Sequence, residues 1–224
     1  MLDEIDYCFL NYPKKVSAVV CCKNREKNLY IALESWLSFK EINEIIILDF
    51  GCDNILKSPY SDDRIKIYRY ESEIWHLSRA YNIAIQLSRY ETILKLDCDY
   101  YLYSNFFTSN TLNDNEFIVG SHGVSTKGLL WINRKDFFVV NGYNERIINW
   151  GGDDTDLYYR LRKTGLKEKN VARNTIKHIP HPESLRTKHT PDPTLNRHKS
   201  NRDNISYGKS YLWSNTEKMS SYYD

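Results

Sequence analysis

Apolar runs and helical periodicities alternate along the first hundred residues of the chain. The runs at 16–22 and 44–49 are largely apolar, which is typical of strands buried on both faces of a sheet. The first third of the chain therefore predicts a strand–helix–strand unit, with Asn24 as a candidate helix cap. Between the two runs, apolar side chains recur at the i, i+3, i+4, i+7 and i+8 positions of one helix face: Leu29, Ala32, Leu33, Trp36 and Leu37.

The same alternation continues to residue 97. Residues 64–69 alternate between apolar and polar positions, as a half-exposed strand does, and residues 92–97 form another apolar run. Residues 77–87, between them, repeat the helical spacing. Strands that alternate with helices predict an α/β fold with a mainly parallel central sheet flanked by helices.

The second half of the chain is less regular. Residues 128–140 have an apolar content suited to one or two strands, and Asp156–Thr164 has the spacing of a short helix that ends at Gly165. After Pro180 the chain is rich in Pro, His, Asn, Arg and Ser, which is typical of a long loop followed by a tail. A length of 224 residues and a hydrophobic content of 41% suit one folded domain.

Charge is distributed unevenly, although the net charge of the chain is only +2. Residues 160–202 hold 12 Lys and Arg against 3 Asp and Glu, a net charge of +9, so the remainder carries −7. A basic segment of this kind indicates an anionic ligand or surface, and a solvated basic face is the equal alternative.

The cysteines and the start of the sequence indicate the cellular compartment in which the protein is expected. The 5 cysteines show no metal-binding spacing, and Cys21 and Cys22 lie within an apolar run, so we expect buried free thiols in a reducing compartment. Apolar runs stay shorter than the roughly 18 residues that a membrane span needs. The acidic start of the sequence is unlike a signal peptide. These features predict a cytoplasmic protein.

Polar side chains follow three of the predicted strands at their carboxyl ends. Parallel α/β sheets bind ligands at this edge. The two carboxylates of Asp97-Cys98-Asp99 can reach one divalent cation, and oxygen ligands suit Mg²⁺ or Mn²⁺. A solvated turn is the alternative, because two acids separated by one residue are common. The polar residues in question are Lys23, Asn24, Arg25, Asp49, Asp97 and Asp99.

The segment 149–157, with the sequence NWGGDDTDL, concentrates three carboxylates behind two glycines and a tryptophan. Its glycines permit close backbone approach. Asp153 and Asp154 would stand near a helix N-terminus, where the helix dipole favours anions. Helix capping explains one of the three carboxylates well, but not all of them. A carboxylate beside an indole face suits a general base for a sugar hydroxyl, whereas simple core packing is the alternative for Trp150.

Two histidines, His178 and His181, lie in the basic segment. Either imidazole could complete the coordination of a cation that Asp99 holds. Two histidines alone are too few ligands for a zinc signature, and a surface histidine is the alternative for each of them.

Four stretches, in their order and spacing, resemble the GT-A fold of nucleotide-sugar glycosyltransferases, family 2 in particular: Val19–Arg25, Ile47–Asp53, Leu77–Ala84 and Leu96–Asp99. The first resembles the strand and turn that receive the nucleotide, and the last is similar to the DxD motif of these enzymes. The nucleotide-sugar-binding set that the resemblance implies is Cys22, Asn24, Arg25, Asp49, Arg79, Asp97 and Cys98.

A second block narrows the resemblance. Residues 141–146 and 150–156, NGYNER and WGGDDTD, are similar to the block GGxNExxxxWGGEDxD of β-1,4-galactosyltransferases. By this resemblance Asp154 is the catalytic base, and Asp153 stands where the family has Glu. The acceptor-binding residues that the resemblance implies are Trp150, Gly151, Gly152 and Asp153.

The metal site follows from the same resemblance. It implies Mn²⁺ or Mg²⁺ bound to Asp99 and to a histidine further along the chain. His178 suits the local pattern of a strand that ends in a histidine, and His181 suits the spacing.

The resemblance as a whole implies an inverting, metal-dependent transfer of a hexose or N-acetylhexosamine from a UDP-sugar to a glycan hydroxyl. The glycosyltransferase domain would span residues 1–182, with a nucleotide-binding half at 15–100 and an acceptor-binding half at 101–182. A basic loop and C-terminal extension at 183–224 would pack on the same domain.

Two other functions remain as alternatives. A nucleotidyltransferase has a similar sheet with paired carboxylates, but Cys22-Lys23-Asn24-Arg25 lacks the glycines of a phosphate loop. A sugar- or nucleic-acid-binding module would use the basic segment and the tyrosines, but it gives no reason for acids at several strand ends. No nucleic-acid partner is therefore expected.

Overall fold

A computed structural model describes residues 14–121, 125–148, 151–182 and 219–222. The strands are β1 (Val16–Cys22), β2 (Ile42–Asp49), β3 (Ile65–Tyr70), β4 (Thr92–Lys95), β5 (Tyr100–Leu102), β6 (Glu116–Val119), β7 (Leu130–Asn133), β8 (Lys167–Asn170), β9 (Ile176–His178) and β10 (Met219–Tyr222). The helices are α1 (Glu26–Leu37), α2 (Leu77–Leu87), α3 (Phe106–Ser109), α4 (Arg134–Val139) and α5 (Asp153–Lys163).

The central sheet has eight strands in the order β10-β3-β2-β1-β4-β7-β6-β8. Strands β3, β2, β1 and β4 run parallel, as do β6 and β8, whereas β7 is antiparallel to both of its neighbours and β10 is antiparallel to β3. Strands β5 and β9 form a separate two-stranded antiparallel sheet. The predicted α/β fold with a mainly parallel, helix-flanked sheet is confirmed.

Apolar side chains cover both faces of the sheet, which explains the continuous apolar runs of its central strands. Every residue of β1 is buried. Val20 and Cys22 pack into one core cluster with α1, and Val19 and Cys21 pack into a second cluster with α2. Because β3, β2, β1 and β4 run parallel, their carboxyl ends meet at one edge of the sheet, where the loops are polar.

Helix α1 anchors the segment that follows β4. Trp36 is fully buried, and its indole Nε1 donates a 2.9 Å hydrogen bond to the carbonyl of Tyr100. Ser35 Oγ accepts from the amide of Leu102 at 3.1 Å. These contacts position β5 directly behind the acids of residues 97–99.

The long periodic elements agree with the sequence predictions, and the short ones differ. Strand β1 and helix α2 have the predicted bounds. Asn24 is not the helix cap: it adopts φ 55°, and the N-cap is Arg25, without a side-chain hydrogen bond to the helix. Region 128–140 contains one strand, within the one or two predicted, and the helix α4 that follows it was not predicted.

The helix predicted at Asp156 begins three residues earlier, at Asp153. Gly151 and Gly152 precede it with φ values of 101° and 96°, a left-handed conformation that favours glycine. The two glycines therefore turn the chain sharply into α5 and bring its first-turn acids to the sheet edge.

One sheet contains strands from both predicted halves of the chain, and β10 from the 183–224 segment joins its edge. The rest of that segment, including the predicted basic loop, lies outside the described residues, and the domain boundaries remain a prediction. Among the helices of the described residues, none combines the length and apolar character that a bilayer crossing requires.

Candidate active site

A cavity of about 500 Å³ opens at the carboxyl ends of β1 and β4. Its walls come from the turn after β1, the start of α2, the segment after β4, the turn before β7, the start of α5 and the end of β9. Ten of the predicted site residues line it: Arg25, Asp97, Cys98, Asp99, Gly151, Gly152, Asp153, Asp154, His178 and His181.

The other five predicted site residues are not among the described residues that line this cavity. Trp150, predicted on the acceptor side, lies outside the described residues. The other four belong to the described part of the chain and do not line the cavity: Cys22, Asn24, Asp49 and Arg79.

Asp99, His178 and His181 form a cluster of potential metal ligands. Oδ2 of Asp99 lies 3.5 Å from Nε2 of His178 and 3.2 Å from Nε2 of His181. The position of His178 follows from the pairing of β9 with β5, and the amide of Ile179 donates to the carbonyl of Asp99 at 2.7 Å. The structure thus brings both candidate histidines to Asp99, and one carboxylate oxygen with two imidazole nitrogens fits a divalent transition metal.

Arg25 lies on the other side of Asp99. Its guanidinium donates a 2.8 Å hydrogen bond to Oδ2 of Asp99. Arg25 and Lys23, which follow β1, give this part of the described cavity a positive wall. Such a wall attracts phosphate groups.

Asp97 is not part of the Asp99–His178–His181 cluster found among the described residues. Its Oδ1 accepts from Lys95 Nζ at 3.0 Å and from the hydroxyl of Tyr81 at 3.0 Å. Burial opposes ionisation, but Lys95 outweighs it and holds the pKa of Asp97 below its ordinary value. Gly128 closes this corner, because a Cβ there would lie 2.5 Å from Oδ2 of Asp97.

Asp154 occupies the first turn of α5. Its Oδ1 accepts a 2.9 Å hydrogen bond from the hydroxyl of Tyr143 and lies 3.8 Å from Lys95 Nζ. Burial raises the pKa of Asp154 above its ordinary value, against the lowering influence of Lys95 and of the Tyr143 hydroxyl. A buried carboxylate with a raised pKa is suited to accept a proton near neutral pH.

Asp153 is buried next to Asp154 and accepts a 3.0 Å hydrogen bond from the Asp154 amide. Burial and the neighbouring charge of Asp154 raise the pKa of Asp153 to about 7. The third acid of this turn, Asp156, points into the core and pairs with Arg160 at 2.7 Å. Asp156 is therefore a structural residue, whereas the first two acids face the cavity.

Arg79 joins helix α2 to the segment that carries Tyr143. Its Nε lies 3.3 Å from a carboxylate oxygen of Glu145. Asn82 exchanges two hydrogen bonds with the main chain of Tyr143, at 2.8 and 2.9 Å, and donates to Glu145 at 2.9 Å. Stretches 77–84 and 141–146, which each resemble a glycosyltransferase motif, thus meet in space. Their contacts fix Tyr143 beside Asp154.

Asp49 builds the turn after β2 rather than the cavity surface. It is 1% exposed and accepts from the amides of Cys52 and Leu56 and from the guanidinium of Arg69. Its hydrogen bonds define the turn that faces Asn24.

Two further predicted residues serve the same turn. Asn24 accepts a 2.8 Å hydrogen bond from the Asp53 amide. The thiol of Cys22 lies 4.0 Å from that of Cys52 beneath the cavity floor. Four cysteines in the described part of the chain are buried free thiols, as expected: Cys21, Cys22, Cys52 and Cys98.

Sequence reasoning missed Lys95, Tyr81 and Tyr143 as site residues. One signal for Lys95 was present, because a lysine inside the apolar run of a central strand needs a buried counter-charge. The tyrosines carried no such signal, because their periodicity is that of ordinary core residues.

Residues 108–182 match the sequence model of a family described as the N-terminal domain of galactosyltransferase. The catalytic domain of Drosophila β1,4-galactosyltransferase 7, solved with xylobiose, superposes with a TM-score of 0.61 over 84% of this chain and 79% of that one, at 15% identity. The protein has the GT-A fold.

Two other GT-A structures support the assignment. GalNAc-T7 with UDP, GalNAc and Mn²⁺ has a TM-score of 0.66 at 16% identity, over 81% of this chain and 46% of that one. A mannosyltransferase from Pyrobaculum calidifontis with GDP-Man and Mn²⁺ has a TM-score of 0.59 at 12% identity, over 80% and 60% of the two chains. No curated protein matches the chain in sequence. The resemblance to GT-A glycosyltransferases that the sequence predicted is confirmed, and the family match includes the acids of α5 and both histidines.

Proposed function

We propose that the protein is an inverting, metal-dependent glycosyltransferase that moves a hexose or N-acetylhexosamine from a UDP-sugar to a glycan hydroxyl. The observation that carries the proposal is the position of Asp154. This largely buried carboxylate faces the same cavity as the Asp99–His178–His181 cluster. A proton acceptor and a metal-ligand set thus line one cavity of about 500 Å³.

The donor side is formed by the metal-ligand cluster and the positive wall. Asp99, His178 and His181 would hold a divalent cation, which supplies charge neutralisation to the diphosphate leaving group. Lys23 and Arg25 add positive charge to the same side. Uridine is proposed because a mutant Drosophila β1,4-galactosyltransferase 7 was solved with manganese, UDP-Gal and xylobiose, and GalNAc-T7 with UDP.

The chemical types of the three potential ligands indicate which metal ion the site prefers. Mg²⁺ prefers oxygen ligands, whereas imidazole nitrogens suit transition metals. Two histidines and one carboxylate therefore favour Mn²⁺ over Mg²⁺. Both ions are compatible with the donor chemistry, and the difference concerns affinity.

The acceptor side is formed by the start of α5. Asp154 accepts the proton of the acceptor hydroxyl while that oxygen forms a bond to the anomeric carbon. The bond between this carbon and the diphosphate oxygen breaks on the opposite face, and UDP departs with the electron pair. A single displacement of this kind inverts the anomeric configuration. The proposal assigns the acceptor ring to Asp153 and the glycine turn at 151–152, and to Trp150 by its sequence position.

The decisive experiment replaces Asp154 with Asn and measures UDP release from UDP-Gal, UDP-GalNAc, UDP-Glc and UDP-GlcNAc with glycan acceptors. We expect kcat to fall by about 10² to 10⁴-fold, the range for loss of a positioned base. Stabilisation by UDP and Mn²⁺ should persist in a thermal-shift assay, because Asp154 is not part of the ligand cluster. At a ligand concentration of about 100 Kd that stabilisation is about 2.7 kcal/mol.

Asp156→Asn is the matched control, since it makes the same change two residues along the same helix at a residue paired with Arg160. We expect this control to lower the melting temperature and to leave kcat of the folded protein within a small factor. Wild-type turnover in Asp154→Asn would rule out the assignment of the base.

A further inference from the structure

Lys95 lies in the central strand β4, and its side chain is completely buried. Its strand neighbours are Val19 of β1 and Leu130 of β7, both of which are buried apolar residues. Removing an ammonium group from water costs several kcal/mol, and a protein retains such a group only where partners compensate for that cost. The partners of Lys95 therefore indicate what the residue is for.

Each partner of Lys95 faces the cavity. Its Nζ donates to Oδ1 of Asp97 at 3.0 Å and to the carbonyl of Gly128 at 2.6 Å, and it lies 3.8 Å from Oδ1 of Asp154. The ammonium group thus stands between the first acid of the DxD sequence and the proposed base. The two carboxylates come from distant parts of the chain and share this one buried cation.

Two tyrosines complete the arrangement on either side of Lys95. The ring of Tyr81 lies 4.3 Å from Nζ, and the ring of Tyr143 lies 6.0 Å from it. Tyr81 donates its hydroxyl to Asp97, and Tyr143 donates to Asp154, at 3.0 and 2.9 Å. Asp97 also has a hydrogen-bond contact with the side chain of Tyr100. Each carboxylate therefore has at least one tyrosine hydroxyl as a partner and a share in Lys95.

We propose that Lys95 is a positioning residue for the transfer reaction, and that its ammonium group holds Asp154 ionised and aimed at the acceptor, beside the neighbouring carboxylate of Asp97. The inference rests on the proposed role of Asp154 as the base. If Lys95 were absent, the carboxyl groups of Asp97, Asp153 and Asp154 would lie close together without this cation. The protonated form of Asp154 would then be favoured more strongly than in the wild-type protein.

The other groups that face Asp154 do not replace this cation. Asp97, on the β4 side, opposes the ionisation of Asp154, and Asp153, its neighbour on the same helix, is another acid and supplies no cation. Tyr143, which precedes α5, offers a neutral donor. Lys127, in the turn before β7, is exposed, so water and salt screen its charge. The buried ammonium group is the partner whose removal should change the protonation of Asp154 most.

The test compares wild-type protein with Lys95→Met, a substitution of similar length and no charge. The first readout is a ¹³C NMR titration of aspartate carboxyl groups, in which the resonance of Asp154 is assigned by its loss in Asp154→Asn. This measurement needs no turnover. We expect the midpoint of Asp154 in Lys95→Met to rise by at least about one pH unit, the usual consequence of losing an adjacent opposite charge in a buried site.

The second readout is the pH profile of UDP release at saturating Mn²⁺. In Lys95→Met the acidic limb of the kcat profile should move to higher pH together with the NMR midpoint of Asp154. Turnover at pH 7 should then fall by about tenfold or more and recover as the pH rises. The KM for the donor should change by no more than about threefold, because Lys95 is not in the metal-ligand cluster. A purely structural role would lower the melting temperature without displacing the limb.

Lys23→Met is the matched control. Lys23 is another buried lysine of this cavity, but it donates to the carbonyls of Gly51 and Ser72, at 2.6 and 2.7 Å, and to no carboxylate. Its replacement should leave the midpoint of Asp154 unchanged. If Lys95→Met does not fold, Asp97→Asn tests the same arrangement with the opposite sign, because Asp154 then has the whole of the Lys95 charge and its midpoint should fall.

The possible failures are distinguishable. An Asp154 midpoint that stays at its wild-type value in Lys95→Met, or that fails to fall in Asp97→Asn, would overturn the role of Lys95. Absence of UDP release from every UDP-sugar by the wild-type protein would count against the proposed function, and the NMR titration would still decide whether Lys95 controls Asp154.

Discussion

The hydroxyl of Tyr143 donates a hydrogen bond of 2.9 Å to Oδ1 of Asp154. Tyr143 is completely buried, and Asn82 binds its main chain from helix α2, so the hydroxyl has a fixed position. This bond restricts the rotation of the Asp154 carboxylate. It also favours the ionised form of that carboxylate.

We therefore expect Tyr143→Phe to lower kcat by about tenfold, since a hydrogen bond to a charged group contributes about 1.5–3 kcal/mol. The acidic limb of the pH profile should move to higher pH, because the loss of a donor to the carboxylate raises the pKa of Asp154. Steady-state UDP release between pH 5 and pH 9, a window of about two units on either side of neutrality, measures both effects.

Tyr158→Phe is the control for Tyr143→Phe. The hydroxyl of Tyr158 donates to the carbonyls of Lys127 and Leu129, both at 3.0 Å, and to no carboxylate. Its removal should reduce stability and leave the acidic limb in place. Equal displacement of the limb in both variants would refute the specific role of Tyr143.

The sequence predicted the first half of the fold well because its elements are long and periodic. Strand β1 and helices α1 and α2 each repeat their period several times, so propensity and tertiary packing agree. Strands β5 and β9 have three residues each, too few for a period to be recognised. Their pairing depends on contacts between distant segments, such as Tyr100 with His178, which local patterns do not contain.

In the candidate site, too, the features that are local in the sequence were predictable and the contacts between distant segments were not. The acids at strand ends and at the glycine turn were recognisable because charge in such positions is unusual in a core. The partners of those acids were not, since Tyr81 and Tyr143 are indistinguishable from core aromatics in a sequence. Asp49 and Arg79, for which the resemblance implied nucleotide-sugar contacts, make hydrogen bonds within the protein. Their ligand contacts stay a prediction, because such contacts do not follow from the hydrogen bonds of the protein itself.

The metal-ligand cluster leads to a second prediction. His178→Ala and His181→Ala should each weaken Mn²⁺ binding by about tenfold or more, because each removes one of three ligand atoms. Calorimetric titration of the metal-free protein measures the affinity, and Mn²⁺ should bind more tightly than Mg²⁺. His76→Asn is the control, since His76 caps helix α2 and accepts from the Arg79 amide at 3.3 Å. Wild-type affinity in either histidine variant would remove that histidine from the site.

Asp153 should make stability depend on pH. Burial and the charge of Asp154 raise its folded-state pKa to about 7 from the ordinary value of 3.8, so the folded protein favours the protonated acid. This preference stabilises the protein fully below about pH 4 and is lost as the pH rises through about 7. Asp153→Asn mimics the protonated form and keeps the oxygen that accepts from the Asp154 amide.

We expect Asp153→Asn to be more stable than wild type at pH 8 by about 1 kcal/mol or more, or roughly 2–4 °C in melting temperature. The difference should vanish near pH 4. Melting curves at the two pH values measure it, and Asp53→Asn, at an exposed carboxylate, controls for the loss of one charge. A stability difference independent of pH would contradict the proposed burial of a proton at Asp153.

Gly128 leads to the last prediction, because its missing side chain leaves room for the charged partners of β4. A Cβ at this position would lie 2.5 Å from Oδ2 of Asp97 and 3.1 Å from both Lys95 Nζ and the hydroxyl of Tyr100. Crowding of this kind in a packed site costs about 1–3 kcal/mol. Gly128→Ala should therefore displace Asp97 and Lys95, and with them the carboxylate of Asp154.

We expect kcat of Gly128→Ala to fall by about tenfold or more, while Mn²⁺-dependent stabilisation persists because the ligand cluster lies elsewhere in the cavity. Gly165→Ala is the control: its φ of +91° strains an alanine, yet no atom lies within 4 Å of the added Cβ. That control should lose stability without losing turnover of the folded protein. Equal kcat values for the two alanine variants would show that the space at Gly128 does not serve the arrangement of Asp97, Lys95 and Asp154.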